Sequence, residues 1–502
     1  MSSLSVYDYI LVGAGTAGCV LADRLSRDEN ARVLLVEAGS ATLPEAVTHP
    51  PAWPALAASE AGWGDTTVPQ RGSGTPVALP RGKGLGGSSA INAMVFARGH
   101  HTSYDSWSDH GAKGWTFEDL LPYFQRSETA VSGATGRGTD GPLFVGPAVE
   151  PNDVLLACLD GAVEAGHRRA FDISGGLEEG FAPVDLNIVA GRRQSAADAY
   201  LAPALGRHNL DVVTDAVVHR LVFDGTRCTG VEFRAHGQVR HAAAGEVVLT
   251  AGAIGSAQLL LCSGIGPETD LRRAQVDVLH PLPGVGQNLH DHPRVNVVHR
   301  AQRPVPAARN NHGEILGLLR STPEADGPDV QIIFIDIPVP NPVAPVENGF
   351  TIGVSPMRPA SRGTLRITSA DPCAPPVIDP DYFSAEQDVR AVLSGITTAR
   401  RIAWSSALAE WGTEEVSPGP DTVDSRSIRD HARRYFGSYC HPVGTCMMGE
   451  DEMSVVDSTL RVRGLDGLRV ADAAVIPSIP SSNTNATVYA IAEKAADLLR
   501  GA

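Results

Sequence analysis

The apolar run Tyr9-Ile10-Leu11-Val12 passes straight into Gly13-Ala-Gly-Thr-Ala-Gly18, and a second apolar run over 32–36 ends on an acid, Glu37. This order predicts a strand, a tight turn, a helix over 17–25 and a second strand. Apolar and polar positions alternate over 209–213, 217–223, 230–233 and 246–249, which reads as strands joined by turns at Asp224-Gly225 and His236-Gly237. The run Val330-Gln-Ile-Ile-Phe-Ile335 predicts a strand of a separate sheet, and 386–404 predicts a helix. Near the end, Val488, Ile491, Ala492, Ala495, Leu498 and Leu499 fall at helical spacing, with Asn485 as the cap. Loops rich in proline over 41–80, and in glycine and proline over 131–152, separate these elements. The mixture is an α/β pattern, and 502 residues exceed what one core usually supports, so two domains are expected.

The opening glycines have distinct physical tasks. Gly13 permits the turn, Gly15 lets a pyrophosphate approach the backbone, and Gly18 allows close packing of helix on strand. Phosphates then meet the free N–H groups of the helix, at Thr16 and Ala17. Glu37 stands 19 residues beyond Gly18, where an acid accepts hydrogen bonds from an adenosine ribose. These residues point to a dinucleotide without separating NAD from FAD. A second glycine-rich segment, Arg81-Gly-Lys-Gly-Leu-Gly-Gly-Ser-Ser-Ala-Ile-Asn-Ala-Met94, exposes backbone N–H groups to something large, flat or anionic. Two such segments fit the far ends of one extended cofactor, as FAD is.

Composition narrows the partners. The formal net charge of −16 argues against nucleic acid, and no run of about 18 apolar residues suggests a membrane span. The first eight residues carry neither a basic region nor an apolar signal core. Seven scattered cysteines without a Cys-x-x-Cys pair read as reduced thiols, so a cytoplasmic location is expected.

Taken in order, the motifs resemble those of the glucose–methanol–choline oxidoreductase family over nearly the whole chain. The resemblance is carried by the segment 81–94, Arg98-Gly99 with Tyr104-Asp-Ser-Trp107, Gly252-Ala-Ile-Gly-Ser-Ala-Gln-Leu-Leu-Leu-Cys-Ser-Gly-Ile-Gly-Pro267 and Val285-Gly-Gln-Asn-Leu-His-Asp-His292. His441-Pro-Val-Gly-Thr, Val470-Ala-Asp-Ala473 and Asn483-Thr-Asn-Ala-Thr487 complete it, with Ala257 standing where the family usually has proline. The resemblance implies a Rossmann-like FAD-binding domain built from 1–150, 195–296 and 438–502. It also implies a smaller sheet-plus-helices substrate domain from 151–194 and 297–437. By similarity, Gly13, Gly15, Gly18, Glu37 and Ala38 hold the ADP half of FAD. Arg81, Gly86, Ser89, Asn92, Ala93, Met94 and Val95 line the flavin side, Val218 meets the adenine, and Asp472 and Ala473 lie beside the ribityl chain and ring. The segment 82–92 contains no histidine to link to the flavin, so non-covalent FAD is expected.

The resemblance also assigns chemistry. His441 suits the task of taking an alcohol proton while the α-carbon hydride moves to the flavin. Asn485, an amide, would donate to the oxygen and orient it. His290 and His292 flank Asp291, yet nothing completes a metal site, and none is expected. Gly86-Gly-Ser-Ser89 lacks the nucleophile elbow, and Trp53, Trp63 and Trp107 read as core or loop anchors. The expected partners are a small primary alcohol, benzylic or furanic in the first instance, and oxygen or another electron acceptor. Tyr439, two residues before the histidine, replaces the small aliphatic side chain often found in oxidases and weakens the case for fast oxygen use. Two other roles share the scaffold: a hydroxynitrile lyase and a non-catalytic flavin-binding protein.

Overall fold

The computed structural model describes residues 6–341 and 343–501. Two sheets organise it. In the first, Val6–Val12 pairs in parallel with Val33–Val36 on one side and with Gln238–Leu249 on the other. Leu210–Val213 extends it in parallel beyond Val33–Val36, and Leu468–Val470 pairs in parallel with the end of Gln238–Leu249. Ala216–Asp224 and Arg227–Ala235 complete it as an antiparallel hairpin stack on the start of Gln238–Leu249. Parallel strands buried on both faces need continuous apolar runs, and Val33–Val36 is buried at all four positions. The strands predicted over 9–12, 32–36 and 209–249 and both turn dipeptides thus fall in one sheet.

The helices Thr16–Leu25 and Asn485–Arg500 are held together by a buried ion pair. Arg24 donates through Nε and Nη2 to the two oxygens of Glu493, at 2.8 and 2.6 Å, and the Tyr200 hydroxyl donates to the same carboxylate at 2.9 Å. Satisfaction of every partner is what makes such a buried pair tolerable. The two ends of the chain therefore meet.

The second sheet is antiparallel, in the order Glu414–Ser417, Pro293–Arg300, Gly349–Pro356, Val330–Ile335, Ile315–Leu319 and Gly180–Pro183. Its strands alternate with period 2. Val295, Val297, Val330, Ile332 and Phe334 face the helix Glu386–Ala403, in one apolar core. Ile333, Ile335, Leu316 and Leu318 face the other way and form a second cluster. The alternation places Arg294 and Gln331 on that second face too. The domain boundary expected at 296–297 falls inside Pro293–Arg300, a strand that belongs throughout to the second sheet. The boundary at 438 likewise falls on Gly437–Ser438, which pairs with Pro293 and Arg294. The helix expected over 386–404 spans Glu386–Ala403. No helix among the described residues is long and apolar enough to cross a membrane.

Candidate active site

One cavity runs from the first glycine turn to the second face of the antiparallel sheet. At its first end the chain is drawn tight by glycine. Gly13 has φ +104°, and a Cβ there would lie 2.8 Å from Ala251 Cα. A Cβ on Gly18 would lie 1.9 Å from the Gly13 carbonyl oxygen, so helix and turn touch only because position 18 is bare. The second glycine segment docks on the first: Gly86 N–H donates to Ala14 O at 2.8 Å.

Glu37 is buried beneath this junction. Its carboxylate accepts the N–H groups of Ala14 and Gly39, both at 2.8 Å, and of Gly84 at 3.0 Å. Burial raises its pKa, opposed by those three donors. The helices Thr16–Leu25 and Asn485–Arg500 both begin at this cavity, and neither start is capped by a side chain. Uncapped helix starts leave N–H donors and a positive dipole for an anion. Two open helix starts, a glycine cradle and a buried acid suit the phosphates and ribose of a dinucleotide, so the donor set fits FAD.

The remaining predicted cofactor residues divide into two groups. Gly13, Gly15, Thr16, Ala17, Glu37, Ala38, Arg81, Asn92, Ala93, Val95, Val218, Asp472 and Ala473 line the cavity. Gly18, Gly86, Ser89 and Met94 stand behind its wall. Ser89 spends its hydroxyl inward, donating to Gly86 O at 2.6 Å and accepting from Ala196 N at 2.9 Å. Met94 is fully buried. Asp472 accepts from Gly252 N at 2.8 Å, Ser256 Oγ at 2.6 Å and Ala474 N at 2.8 Å, and burial raises its pKa to about 6. Trp53 and Trp63, expected as anchors, also line the cavity, whereas Trp107 is fully buried. Trp63 lies under Arg81, 4.4 Å from the ring centroid, and Trp53 donates to Asn311 O at 2.7 Å.

His441 lies at the other end of the cavity. Its Nδ1 is 3.0 Å from His292 Nδ1, and His292 Nε2 is 3.1 Å from the Met357 carbonyl oxygen. A carbonyl only accepts, so His292 carries its proton on Nε2 and offers a bare Nδ1. His441 must then carry its own proton on Nδ1, which leaves Nε2 as an acceptor. Burial holds His292 at a pKa of about 3, so the relay stays neutral. Burial, then His292 and Arg294, push His441 well below the ordinary histidine value. Its backbone is held as firmly: the His441 N–H donates to Asp291 Oδ1 at 2.7 Å, and Asp291 also accepts His292 N at 2.8 Å, the Ser438 hydroxyl and the Tyr382 hydroxyl. His290 takes no part, because Asn288 O and Ile479 N satisfy its two nitrogens at 2.6 and 3.0 Å.

The partner of His441 differs from the one expected. Asn483 Nδ2 lies 3.3 Å from His441 Nε2. Asn485 instead accepts from Thr16 Oγ1 at 2.8 Å, tying together the two helix starts. The physical reason is helix register. Thr484 is the cap residue and Asn485 the first helical residue, so Asn485 turns toward Thr16–Leu25 while Asn483, in the non-helical segment before the cap, reaches His441. The expected cap at Asn485 moves by one residue, to Thr484. Tyr439 stacks on His441 with centroids 4.9 Å apart and donates to Gln331 Oε1 at 2.6 Å.

A family model described as GMC oxidoreductase matches residues 7–294, and its C-terminal counterpart matches 359–492. An oxygen-dependent choline dehydrogenase of Photobacterium profundum is 37% identical over 99% of this chain and 93% of its own length. The mitochondrial choline dehydrogenase of Homo sapiens is 39% identical over 99% of this chain and 90% of its own. Among solved structures, pyridoxine 4-oxidase from Mesorbium loti superposes with a TM-score of 0.94 at 33% identity, covering 99% of both chains.

Proposed function

The chain belongs to the GMC oxidoreductase family and is an FAD-dependent oxidoreductase of alcohols; from that premise we propose that it converts a small primary alcohol to the aldehyde, with His441 as the base. FAD, when bound, supplies the hydride acceptor. The alcohol hydroxyl hydrogen-bonds to His441 Nε2, which takes its proton. The carbon loses its hydride in the same oxidation, so the alcohol gives up two electrons and two hydrogens in all. Asn483 donates an N–H to the oxygen as negative charge grows on it. The Nδ1–H of His441 stays on His292, so the imidazole cannot rotate away from the substrate. Gly13, Gly15, Thr16, Ala17, Glu37 and Ala38 would hold the ADP half of the cofactor, and Asn92, Ala93, Val95, Asp472 and Ala473 the flavin half. Asn485, engaged with Thr16, belongs with the cofactor residues, and the uncapped start of the helix it opens would offer its positive end to the bound cofactor.

The observation that carries this reading is the placement of His441, with Nδ1 held 3.0 Å from His292 and Nε2 set at the cavity 3.3 Å from the Asn483 amide nitrogen. Anaerobic addition of benzyl alcohol or a furanic alcohol should bleach the yellow holoenzyme. Cleavage of mandelonitrile without bleaching by any alcohol would overturn the redox reading. Acid precipitation should leave the colour in the supernatant, because the cofactor is held without a covalent bond.

A further inference from the structure

Arg294 is the second residue of Pro293–Arg300, on the face of the sheet turned toward the cavity, which it lines together with His441 and Asn483. Its guanidinium carbon lies 5.4 Å from the centroid of the Tyr439 ring that stacks on His441. The absence of a side chain at Gly353 makes room for it, since a Cβ there would stand 3.1 Å from Arg294 Cδ. Its Nε is buried without an acceptor, and among the described residues no carboxylate or carbonyl pairs with the guanidinium.

Arg366 also has a buried Nε without a partner, but it does not line the cavity, so among the described arginines lining the cavity Arg294 is the one left without an acceptor. The buried arginines Arg24, Arg98 and Arg137 all bind carboxylates, and Arg193 donates to Val47 O, Ser89 O and Asn92 Oδ1. The other charges lining the cavity are accounted for as well. Arg81 is paired with Asp65 and His312 with Asp336. Glu37 and Asp472 are each tied up by three donors and serve the cofactor end. Among the described residues lining the reaction end, Arg294 is therefore the one permanent positive charge without an ion-pair partner, next to apolar Ile333 and Ile335, while the Asp291 carboxylate behind His441 is occupied by four other donors. Arg294 is half-buried, with its Nε wholly so; a cation drawn partly out of water without an anion is costly, and a guanidinium fork matches a carboxylate in shape as well as charge.

We propose that the substrate is an alcohol that also carries a carboxylate, bound by Arg294 across an apolar or aromatic body while its hydroxyl meets His441 and Asn483. This deepens the reading of His441 given above and rests on it. A quaternary ammonium alcohol is disfavoured by the same charge, because among the described residues no carboxylate lining the reaction end pairs with Arg294. Binding the carboxylate also neutralises a charge that depresses the basicity of His441, so the base strengthens when the right substrate arrives.

The test uses three probes of similar size on the holoenzyme: 4-(hydroxymethyl)benzoate, 4-methylbenzyl alcohol and 4-(trimethylammonio)benzyl alcohol. Anaerobic stopped-flow should give flavin reduction per mole of substrate roughly 10–100-fold faster for the carboxylate than for the neutral alcohol, and slowest for the cation. In Arg294→Gln the ratio of carboxylate to neutral should collapse toward one, in Arg294→Lys part of it should return, and in Arg294→Glu the cation should overtake the carboxylate. A wild-type ratio near one, or a ratio that survives Arg294→Gln, overturns the proposal. A second readout needs no turnover: titration of benzoate, against benzamide as control, into the oxidised holoenzyme while following the flavin spectrum. If no alcohol bleaches the flavin, the oxidation reading fails by itself. Benzoate binding lost in Arg294→Gln would still uphold the anion site, and benzoate binding no better than benzamide would refute it.

Discussion

The two ends of the cavity are built by opposite means. At the cofactor end the backbone does the work. Turn, helix start and glycine segment meet through main-chain contacts, and the Glu37 carboxylate is fixed by N–H groups of Ala14, Gly39 and Gly84. At the reaction end side chains do the work. His441, Asn483, His292 and Arg294 come from segments far apart in the chain and meet through ring nitrogens, an amide and an unpaired guanidinium. Backbone grips are indifferent to what the neighbouring side chains are, so they can hold the same cofactor while the other end changes its substrate. A difference of this kind predicts that damage at one end leaves the other intact.

The largest expected effect is at the reaction end. His441→Ala should slow anaerobic flavin reduction by roughly 10²–10⁴-fold, the usual contribution of a positioned base, while FAD stays bound. Stopped-flow with one good alcohol and an absorbance ratio of flavin to protein measure both. Reduction at the wild-type rate would remove His441 from the mechanism, and loss of flavin would show that the two ends are not separable.

The converse change is Glu37→Gln. It replaces one acceptor oxygen with a donor facing N–H groups, and weakens the charge-assisted bonds to the ribose. FAD affinity should fall by roughly 10–100-fold, since such bonds are each worth about 1.5–3 kcal/mol. Turnover at saturating FAD should change far less. Equilibrium dialysis against FAD decides it, and an unaltered affinity would leave Glu37 as a purely structural acceptor for the three loops.

The same contrast explains how much could be read in advance. A glycine that must have φ above zero, or must lack a Cβ, is specified by its own neighbours, so Gly13, Gly18 and the spacing to Glu37 were legible from one short stretch. The first sheet was legible for a similar reason, because its strands announce themselves by alternation and turn dipeptides. His441 came from resemblance, and its partner fell two residues away from the expected Asn485. Asn483 and Asn485 lie on either side of a helix start, where one residue of register decides which side chain faces which neighbour. His292 and Arg294 carried no local signal for these contacts. Their positions depend on a strand of the second sheet crossing the mouth of the first, and only long-range packing sets that. Ser89 and Met94 mislead in the opposite way, since a motif residue can serve the loop that carries the site without facing it.

The two asparagines sharpen the comparison, because each sits at one end. Asn483→Ala should slow flavin reduction about tenfold, the loss of one hydrogen bond to the developing oxyanion, without loosening FAD. Asn485→Ala should do the reverse, shortening FAD retention through the broken link to Thr16 with little effect on reduction once flavin is supplied. If Asn485→Ala proves the slower of the two at saturating FAD, the assignment of the orienting amide returns to Asn485.

The smallest effect expected is a displacement in pH, and its sign is determined. His441 acts as a neutral base, so activity is lost as falling pH protonates it. Burial, His292 and Arg294 all lower its pKa. The acid limb of flavin reduction with a neutral alcohol should therefore lie well below the ordinary histidine range, with activity still near its plateau at about pH 6.5, the ordinary histidine value. Arg294→Gln removes a positive neighbour but not the burial, which is the larger cause, so the limb should move upward in pH and only part of the way back. An anaerobic pH series on wild type and variant, with 4-methylbenzyl alcohol as the probe, separates this from any effect on binding a carboxylate. A limb that moves downward, or that sits at the ordinary histidine value in both proteins, would mean that protonation of His441 does not govern the rate and that the field of Arg294 does not reach it.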